Sequence, residues 1–401
     1  KTRRPYEAYD YNILHETFNY GIGAQYMINK GNYITADCYA DHFSSSYCFF
    51  KDNKTYNGKA GEEQVRKRTR NHNLSIKGIF KLGNRHKLSV GTEYIVDVLK
   101  SQTDNIAKED AYTLALFAQD EIKLLRNLQA LIGVRYIYHE NFKNHATPNV
   151  ALMYKPGKFN FRASYAAGFR TPTLSELYAT DIAKKNDRLT IGNLDLKPEK
   201  NNYFSLSAEY VHERFSVSVN AFYNNIRDMI DYNTIATGDK AMEQYGHKEV
   251  RQRDNITEAK VHGINVSANA YLGAGFNLSG GYTHLNTQDV ELEQPIDKSI
   301  KNAYNINAQW AHSWKIYRLN INLNGRINSK RFSKSYGYAP EYQLWDLNTR
   351  HSFNLKSVII EPGCGMENLF DYMDDRPYNS NYATLTPGRS FYISLSLKFK
   401  S

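Results

Sequence analysis

Apolar and polar residues alternate with a period of two along most of this sequence. In segment 159–169, Phe, Tyr and Ala occupy every second position, and the positions between them are polar or small. Segments 215–223, 319–323 and 391–399 repeat the alternation. Because successive side chains of a β-strand point to opposite faces, this pattern predicts strands with one apolar and one polar face.

The predicted strands are long, and the segments that join them fall into two classes. Many strands reach about ten residues, which a tilted strand needs to cross a bilayer, whereas strands of globular proteins usually have about five or six. Short turns, such as those at 83–86 and 155–157, alternate with long polar loops. The long loops are predicted at about 49–71, 170–201, 231–257, 287–300, 332–341 and 369–388.

Short turns on one side and long loops on the other are typical of an outer-membrane β-barrel. The sequence therefore predicts an all-β fold, a transmembrane antiparallel β-barrel that occupies residues 1–401 as one domain. The alternation predicts about 17 strands. Since bacterial single-chain barrels have even strand numbers, the odd count indicates a barrel that is incomplete at its N-terminal side.

Composition excludes other classes of protein. The mean hydropathy is −0.63, and no apolar run approaches the roughly 18 residues of a membrane-spanning helix. Aromatic residues make up 13% of the chain, whereas disordered chains are poor in them. The formal net charge is +10, with basic clusters beside the long loops at 66–70, 248–253 and 330–334. We expect these clusters to attract lipopolysaccharide phosphates or an anionic ligand; nucleic acid is not expected, because no motif for it is present.

Three stretches of sequence resemble motifs of the TonB-dependent outer-membrane receptors. Segment 168–178, GFRTPTLSELY, is similar to a motif in a large external loop, and segment 192–200, GNLDLKPEK, resembles the run that leads into the next strand. Segments 367–371 and 387–392 resemble the last loop and the closing strand. The matching loop positions are Phe169, Arg170, Pro172, Asn193, Leu194, Leu196 and Pro198. We expect these positions to shape the loop, with direct ligand contact as the alternative.

The resemblance covers nearly the whole chain and implies the architecture of the family. There, a barrel of 22 strands is filled by an N-terminal plug, so the plug, its TonB-contacting segment and roughly five strands are expected to lie upstream of this sequence. The implied location is the outer membrane of a Gram-negative bacterium, among its lipids and lipopolysaccharide. The implied function is TonB-driven import of a scarce metal-bearing compound, namely a ferric siderophore, heme or cobalamin. No resident cofactor is implied, and a surface lipoprotein is a further partner to consider.

A passive porin or structural outer-membrane barrel is the alternative function. Enzymatic activity is not expected, because the sequence contains no nucleophile elbow, metalloprotease motif or phosphate loop. The adjacent pairs His139–Glu140 and His212–Glu213 do not change this expectation, since neighbours on a strand point to opposite faces.

Candidate ligand-binding residues lie in the predicted external loops. Aromatic rings stack on macrocycles or catecholates, histidine ligates iron, and arginine attracts anionic groups. The candidates of these types are Tyr245, His247, Tyr336, Tyr338, Tyr378, Tyr382, Arg66 and Arg68. Three carboxylates in one loop are candidates for a calcium site, although their spacing matches no known calcium loop; they are Asp371, Asp374 and Asp375.

Overall fold

The computed structural model describes residues 10–54, 56–183, 187–334, 336–374, 383–384 and 386–400. Over these residues the chain forms twenty-one strands and two short helices. The strands are β1 (Tyr11–Asn29), β2 (Asn32–Phe49), β3 (Glu63–Leu82), β4 (His86–Ser101), β5 (Ile106–Leu125), β6 (Leu128–His139), β7 (Lys143–Tyr154), β8 (Phe159–Arg170), β9 (Thr180–Ala183), β10 (Arg188–Ile191), β11 (Glu199–Val211), β12 (Phe215–Thr237), β13 (Glu249–Gly273), β14 (Phe276–Asp289), β15 (Asn302–Trp314), β16 (Tyr317–Asn328), β17 (Arg331–Ser333), β18 (Gly337–Ala339), β19 (Tyr342–Asn354), β20 (Val358–Glu367) and β21 (Ser390–Phe399). The helices are α1 (Leu174–Tyr178) and α2 (Gly238–Tyr245). Neither of these described helices has the length and apolar character needed to span a bilayer.

Seventeen of these strands form one antiparallel meander in which each strand pairs with the next. The order runs from β1 to β8, continues from β11 to β16 and ends with β19, β20 and β21. The predicted all-β antiparallel fold and the predicted count are thus confirmed. No backbone pairing joins β1 to β21 among the described residues, so the sheet is open at this point.

The connections at the two ends of the sheet differ in length. Short turns follow β1, β3, β5, β7, β11, β13, β15 and β19 at one end, which we call the turn end. The longer connections lie at the opposite end, which we call the loop end, where β4–β5 and β6–β7 are nevertheless joined by only four and three residues. In 231–257, where the sequence predicts a loop, β12 continues to Thr237 and β13 begins at Glu249, with α2 at the tip. Cross-strand backbone hydrogen bonds hold this ribbon although many of its side chains are polar.

One face of the sheet is apolar and exposed. Leu74, Tyr94 and Leu114 stand opposite one another on β3, β4 and β5. They expose 48%, 41% and 39% of their surface. An apolar surface that runs from strand to strand in this way is typical of the lipid-facing wall of a barrel. We call it the apolar face.

The opposite face carries polar side chains that bond to one another. Asn73 donates a hydrogen bond to Glu93 at 2.9 Å, and Asn71 donates one to Asp97 at 2.7 Å. These four residues alternate with the apolar series on β3 and β4. We call this surface the polar face, and its chemistry suits the interior of an outer-membrane barrel.

Candidate functional site at the loop end

The segment between β8 and β11 folds back over the polar face. Helix α1 begins after Thr173, whose hydroxyl accepts a hydrogen bond from the Glu176 backbone at 3.2 Å. The Glu176 carboxylate in turn accepts one from the Thr173 backbone at 2.8 Å. This capping box satisfies backbone donors of the first turn. Leu174 then packs against Leu99 of β4 and Ala111 of β5, which anchors the helix on strands far from β8.

A second buried cluster fixes the end of this segment. Leu196 is 3% exposed and packs with Leu177 of α1 and Ile230 of β12. The two motif prolines, Pro172 and Pro198, are also buried, one before α1 and one just before β11. Because burial of a leucine side chain contributes about 2 kcal/mol, these contacts stabilise the packing of α1 and Leu196 against the strands.

Arg170 connects this segment to the wall through two carboxylates. Its guanidinium donates to Glu199 from Nε at 2.8 Å and from Nη2 at 2.6 Å, and to Glu176 from Nη1 at 2.9 Å. Glu199 also accepts a hydrogen bond from the Ile230 backbone at 2.8 Å. Burial by itself raises the pKa of Glu176, but the hydrogen bonds from Arg170 and Thr173 outweigh it and hold that pKa below its ordinary value. The motif residue Arg170 therefore stabilises this loop by linking α1 to the first residue of β11.

The remaining motif positions have different surroundings. The Phe169 ring stacks on His145 with centroids 3.9 Å apart. The Asn193 side chain accepts a hydrogen bond from the Asp195 backbone at 2.9 Å, which forms a local Asx turn. Leu194 is 67% exposed and is thus the motif residue most open to a ligand.

Strand β10 ties the same segment to the β12–β13 ribbon. Residues Arg188–Ile191 pair in parallel with Glu249–Gln252 of β13. Beyond this pairing, Asn255 accepts a hydrogen bond from the Lys197 backbone at 2.7 Å and donates to the carbonyl oxygens of Lys197 at 2.9 Å and Asp228 at 2.7 Å. Asn255 could not be identified from the sequence alone, because its partners lie 58 and 27 positions away.

These contacts enclose a cavity of about 140 Å³ between α1, β10 and the β12–β13 ribbon. The charged and aromatic groups that line it are Arg188, Arg251, Arg253, Tyr232, Asp104 and Asp181. Two of the arginines belong to the basic cluster 248–253. The third arginine and the tyrosine carry no motif, so sequence reasoning missed them.

The cavity offers cationic donors. The Arg253 guanidinium carbon lies 3.6 Å from the centroid of the Tyr232 ring, and its Nη2 donates to the tyrosine hydroxyl at 2.7 Å. Nε of Arg188 is buried and has no hydrogen-bond partner in the described part of the chain. Burial and the nearby Asp104 raise the pKa of Asp181, and Arg188 lowers it by less. A small anionic group would therefore find N–H donors here and a carboxylate that protonates easily.

The predicted ligand-binding residues Arg66 and Arg68 lie near the loop end of β3. Both line a groove of about 730 Å³. The Arg66 guanidinium lies 5.2 Å from the ring centroid of Tyr47 and 5.4 Å from that of Tyr56. Arg68 lies an even number of residues before Leu74 on β3, so its side chain is on the apolar face, where it is exposed.

The other described candidates lie in two further loops. Tyr245 ends α2 and is 40% exposed. Nδ1 of His247 lies 2.9 Å from the carboxylate of Asp187, whose pKa is lowered by this hydrogen bond. Tyr336 and Tyr338 are both 61% exposed in the loop that contains β17 and β18. None of these four tyrosine and histidine candidates lines the arginine cavity.

Three predicted site residues lie outside the described residues, namely Tyr378, Tyr382 and Asp375. The two described calcium candidates bind backbone amides instead. Asp371 accepts a hydrogen bond from Arg389 at 2.8 Å, and Asp374 accepts one from Ala383. Over the described part of the chain, no three His, Cys, Asp or Glu side chains are grouped as metal ligands would be.

Comparison with known proteins identifies relatives of this architecture. The sequence matches the family model described as TonB dependent receptor-like, beta-barrel over residues 2–369. A mutant of the ferric enterobactin receptor PfeA from Pseudomonas aeruginosa has a similar fold, with a TM-score of 0.78 at 18% identity over 97% of this chain and 62% of that one. The siderophore receptor PirA from Acinetobacter baumannii gives 0.74 at 16% identity over 97% and 63%. BauA, the ferric preacinetobactin receptor of the same organism, gives 0.68 at 15% identity over 96% and 63%.

The chain thus spans 62% of the length of the PfeA receptor that it resembles. Its structural neighbours are receptors and not enzymes. The receptors of this family are outer-membrane barrels that work with TonB. The family match over residues 2–369, together with the seventeen-stranded antiparallel wall, shows that this chain belongs to the TonB-dependent receptor family and corresponds to the β-barrel domain of that family.

Proposed function

We propose that this chain forms the wall and external loops, residues 1–401, of a receptor that imports an anionic ferric siderophore across the outer membrane of a Gram-negative bacterium, driven by TonB. The convergence of Arg188, Arg251 and Arg253 on one cavity at the loop end carries this proposal. Arginine binds oxygen anions through a planar set of N–H donors. The siderophore receptors among the structural neighbours support this class of cargo.

The size of the cavity limits what it can hold. Its volume of about 140 Å³ is below the roughly 300–1,000 Å³ of pockets that enclose drug-sized ligands. The cavity therefore takes one anionic arm of the chelator, while the rest of the complex stays among the external loops. Arg251 is already paired with Glu249 at 2.5 Å, so Arg188 and Arg253 are the main donors to the ligand.

Heme suits this site less well than a siderophore does. A heme iron takes an axial ligand from the protein, and the candidate histidine His247 is bonded to Asp187 and does not line the cavity. A hexadentate siderophore fills the iron coordination sphere by itself. It needs only anion donors and flat contact surfaces from the receptor, as Arg253 and Tyr232 provide.

The test is a binding titration of the receptor in detergent with a ferric tris-catecholate. Arg188→Gln/Arg253→Gln is compared with Arg126→Gln/Arg214→Gln, which removes two exposed arginines at the turn end. We expect the cavity variant to bind about 100-fold more weakly, since two charge-assisted hydrogen bonds are lost. The control variant should bind like the parent.

Two results would contradict the proposal. One is an unchanged affinity in the cavity variant together with tight binding in the parent. The other is steady ion conductance of the complete receptor in a planar bilayer without binding of any ferric complex, which would support the alternative of a passive porin.

A further inference from the structure

A group of basic residues interrupts the apolar face near the loop ends of β3 and β4. Arg68 stands opposite Lys100, and Arg70 stands opposite Val98. Both arginines are an even number of residues from Leu74 on β3. Their side chains therefore point from the apolar face, like those of the lipid-facing residues. The two arginines and the lysine are all exposed. We call Arg68, Arg70 and Lys100 the basic patch.

The positive charge of the basic patch is not neutralised within the protein. Its three residues make no ion pair or side-chain hydrogen bond in the described part of the chain. The neighbouring carboxylates on this face already have partners. Asp110 pairs with Lys108 at 3.2 Å, and Glu16 accepts a hydrogen bond from Ser44 at 3.4 Å. The patch is therefore free to bind an external anion.

A row of tyrosines indicates where the basic patch lies along the membrane normal. Tyr94, Tyr112 and Tyr138 cross β4, β5 and β6 with ring centroids 5.9 and 6.0 Å apart. Such rows lie at the boundary between hydrocarbon and polar headgroups. In the strand register Tyr112 is level with His72, and Arg70 lies two residues farther toward the loop end, roughly 7 Å along the strand. The patch thus lies at headgroup height.

We propose that the basic patch binds a phosphate group of lipopolysaccharide, the phosphorylated glycolipid of the outer leaflet. Barrels of this family have short turns in the periplasm and long loops outside the cell, so the loop-end boundary faces that leaflet. Guanidinium and ammonium groups bind phosphate oxygens strongly, and the apolar face beside the patch receives the acyl chains. The 730 Å³ groove that Arg68 and Lys100 line gives space for the sugar headgroup, with Glu62 and Glu63 also among its lining residues.

This inference depends on membership of the family and not on the siderophore. The experiment measures binding of bisphosphorylated and dephosphorylated lipid A to the full receptor in detergent by native mass spectrometry. Arg68→Gln/Arg70→Gln/Lys100→Gln is compared with Arg126→Gln/Arg214→Gln/Lys158→Gln, which makes the same change of charge at the turn end. Heat-modifiable migration on a gel verifies that each variant folds.

We expect bisphosphorylated lipid A to bind the patch variant about 100-fold more weakly than the parent, because each cation near a charged membrane surface contributes about 1 kcal/mol. The control variant should keep the parent affinity, and dephosphorylated lipid A should bind all three proteins weakly. Three results would overturn the proposal. They are equal binding of the two lipids by the parent, equal binding of bisphosphorylated lipid A by the patch variant and the parent, and full displacement of lipid A by millimolar inorganic phosphate. Siderophore affinity should be unchanged in Arg70→Gln/Lys100→Gln, which leaves the candidate ligand-binding residue Arg68 in place, and this separates the result from the test of the proposed function.

Discussion

Arg170 and Glu199 stand directly opposite each other at the loop ends of β8 and β11 and are joined by two parallel hydrogen bonds. Glu199 is the first residue of its strand, and Arg170 is the last residue of its own. The pair therefore lies where the barrel wall ends and the folded loop begins. A guanidinium is needed because its planar donors match both carboxylate oxygens at once.

The first prediction concerns Arg170→Lys. A lysine ammonium cannot donate in parallel to Glu199 while also reaching Glu176. Since the guanidinium is partly exposed, at 42% of its side chain, we expect a moderate loss of about 1–2 kcal/mol in the local free energy of opening. Hydrogen exchange of segment 171–198 measures it. Arg126→Lys at the turn end is the matched control. Equal exchange in the two variants would show that Arg170 does not stabilise the loop.

The second prediction is a pH dependence of the same segment. The pKa of Glu176 in the folded protein lies below its ordinary value of 4.5. The ionised carboxylate therefore stabilises the fold fully above pH 4.5, and this contribution is lost as the pH falls through the lower, folded-state pKa. We expect protection of α1 against hydrogen exchange, corrected for intrinsic rates, to fall in that acidic range. In Glu176→Gln this acid-dependent step should disappear; its persistence would assign it to another group.

The third prediction concerns the charge of the cavity. The pKa of Asp181 is raised above its ordinary value of 3.8, so this carboxylate is neutralised earlier than a free one as the pH falls. Affinity for an anionic ferric complex should then rise toward acid pH in the parent relative to Asp181→Asn. Titrating both proteins at each pH cancels protonation of the ligand itself. The exposed Asp195→Asn is the control, and a constant affinity ratio between parent and Asp181→Asn would contradict the prediction.

The fourth prediction tests which face meets lipid. Cys38 pairs with Leu74, and Cys364 pairs with Ile393, which is 89% exposed. Nitroxide labels at either cysteine, with the other cysteines replaced by serine, should be relaxed by oxygen dissolved in the bilayer more than by a water-soluble nickel complex. A label at Ser75→Cys, on the polar face next to Leu74, should show the reverse preference. The same preference at all three positions would be incompatible with a two-faced wall.

The wall was predictable from sequence because its signal is local. In segment 391–399, every second residue is apolar, and this is the strand period itself. The arginine cavity was not predictable, because Arg188 approaches β13 through pairing with Glu249, which lies far along the chain. The motif at Arg170 marked the right loop, but its carboxylate partner Glu199 becomes apparent only when β8 and β11 are paired.

The parallel contact between β10 and β13 also constrains the order of folding. Arg188–Ile191 cannot pair with its partner until β11, β12 and the first four residues of β13 have formed, since the partner is Glu249–Gln252. Closing a loop of this length costs chain entropy before any contact rewards it. Helix α1, by contrast, has a local capping box and packs on β4 and β5, which precede it in the chain. The segment that encloses the cavity is therefore completed only after β13 has begun to form, and Arg188 meets Arg251 and Arg253 no earlier than this.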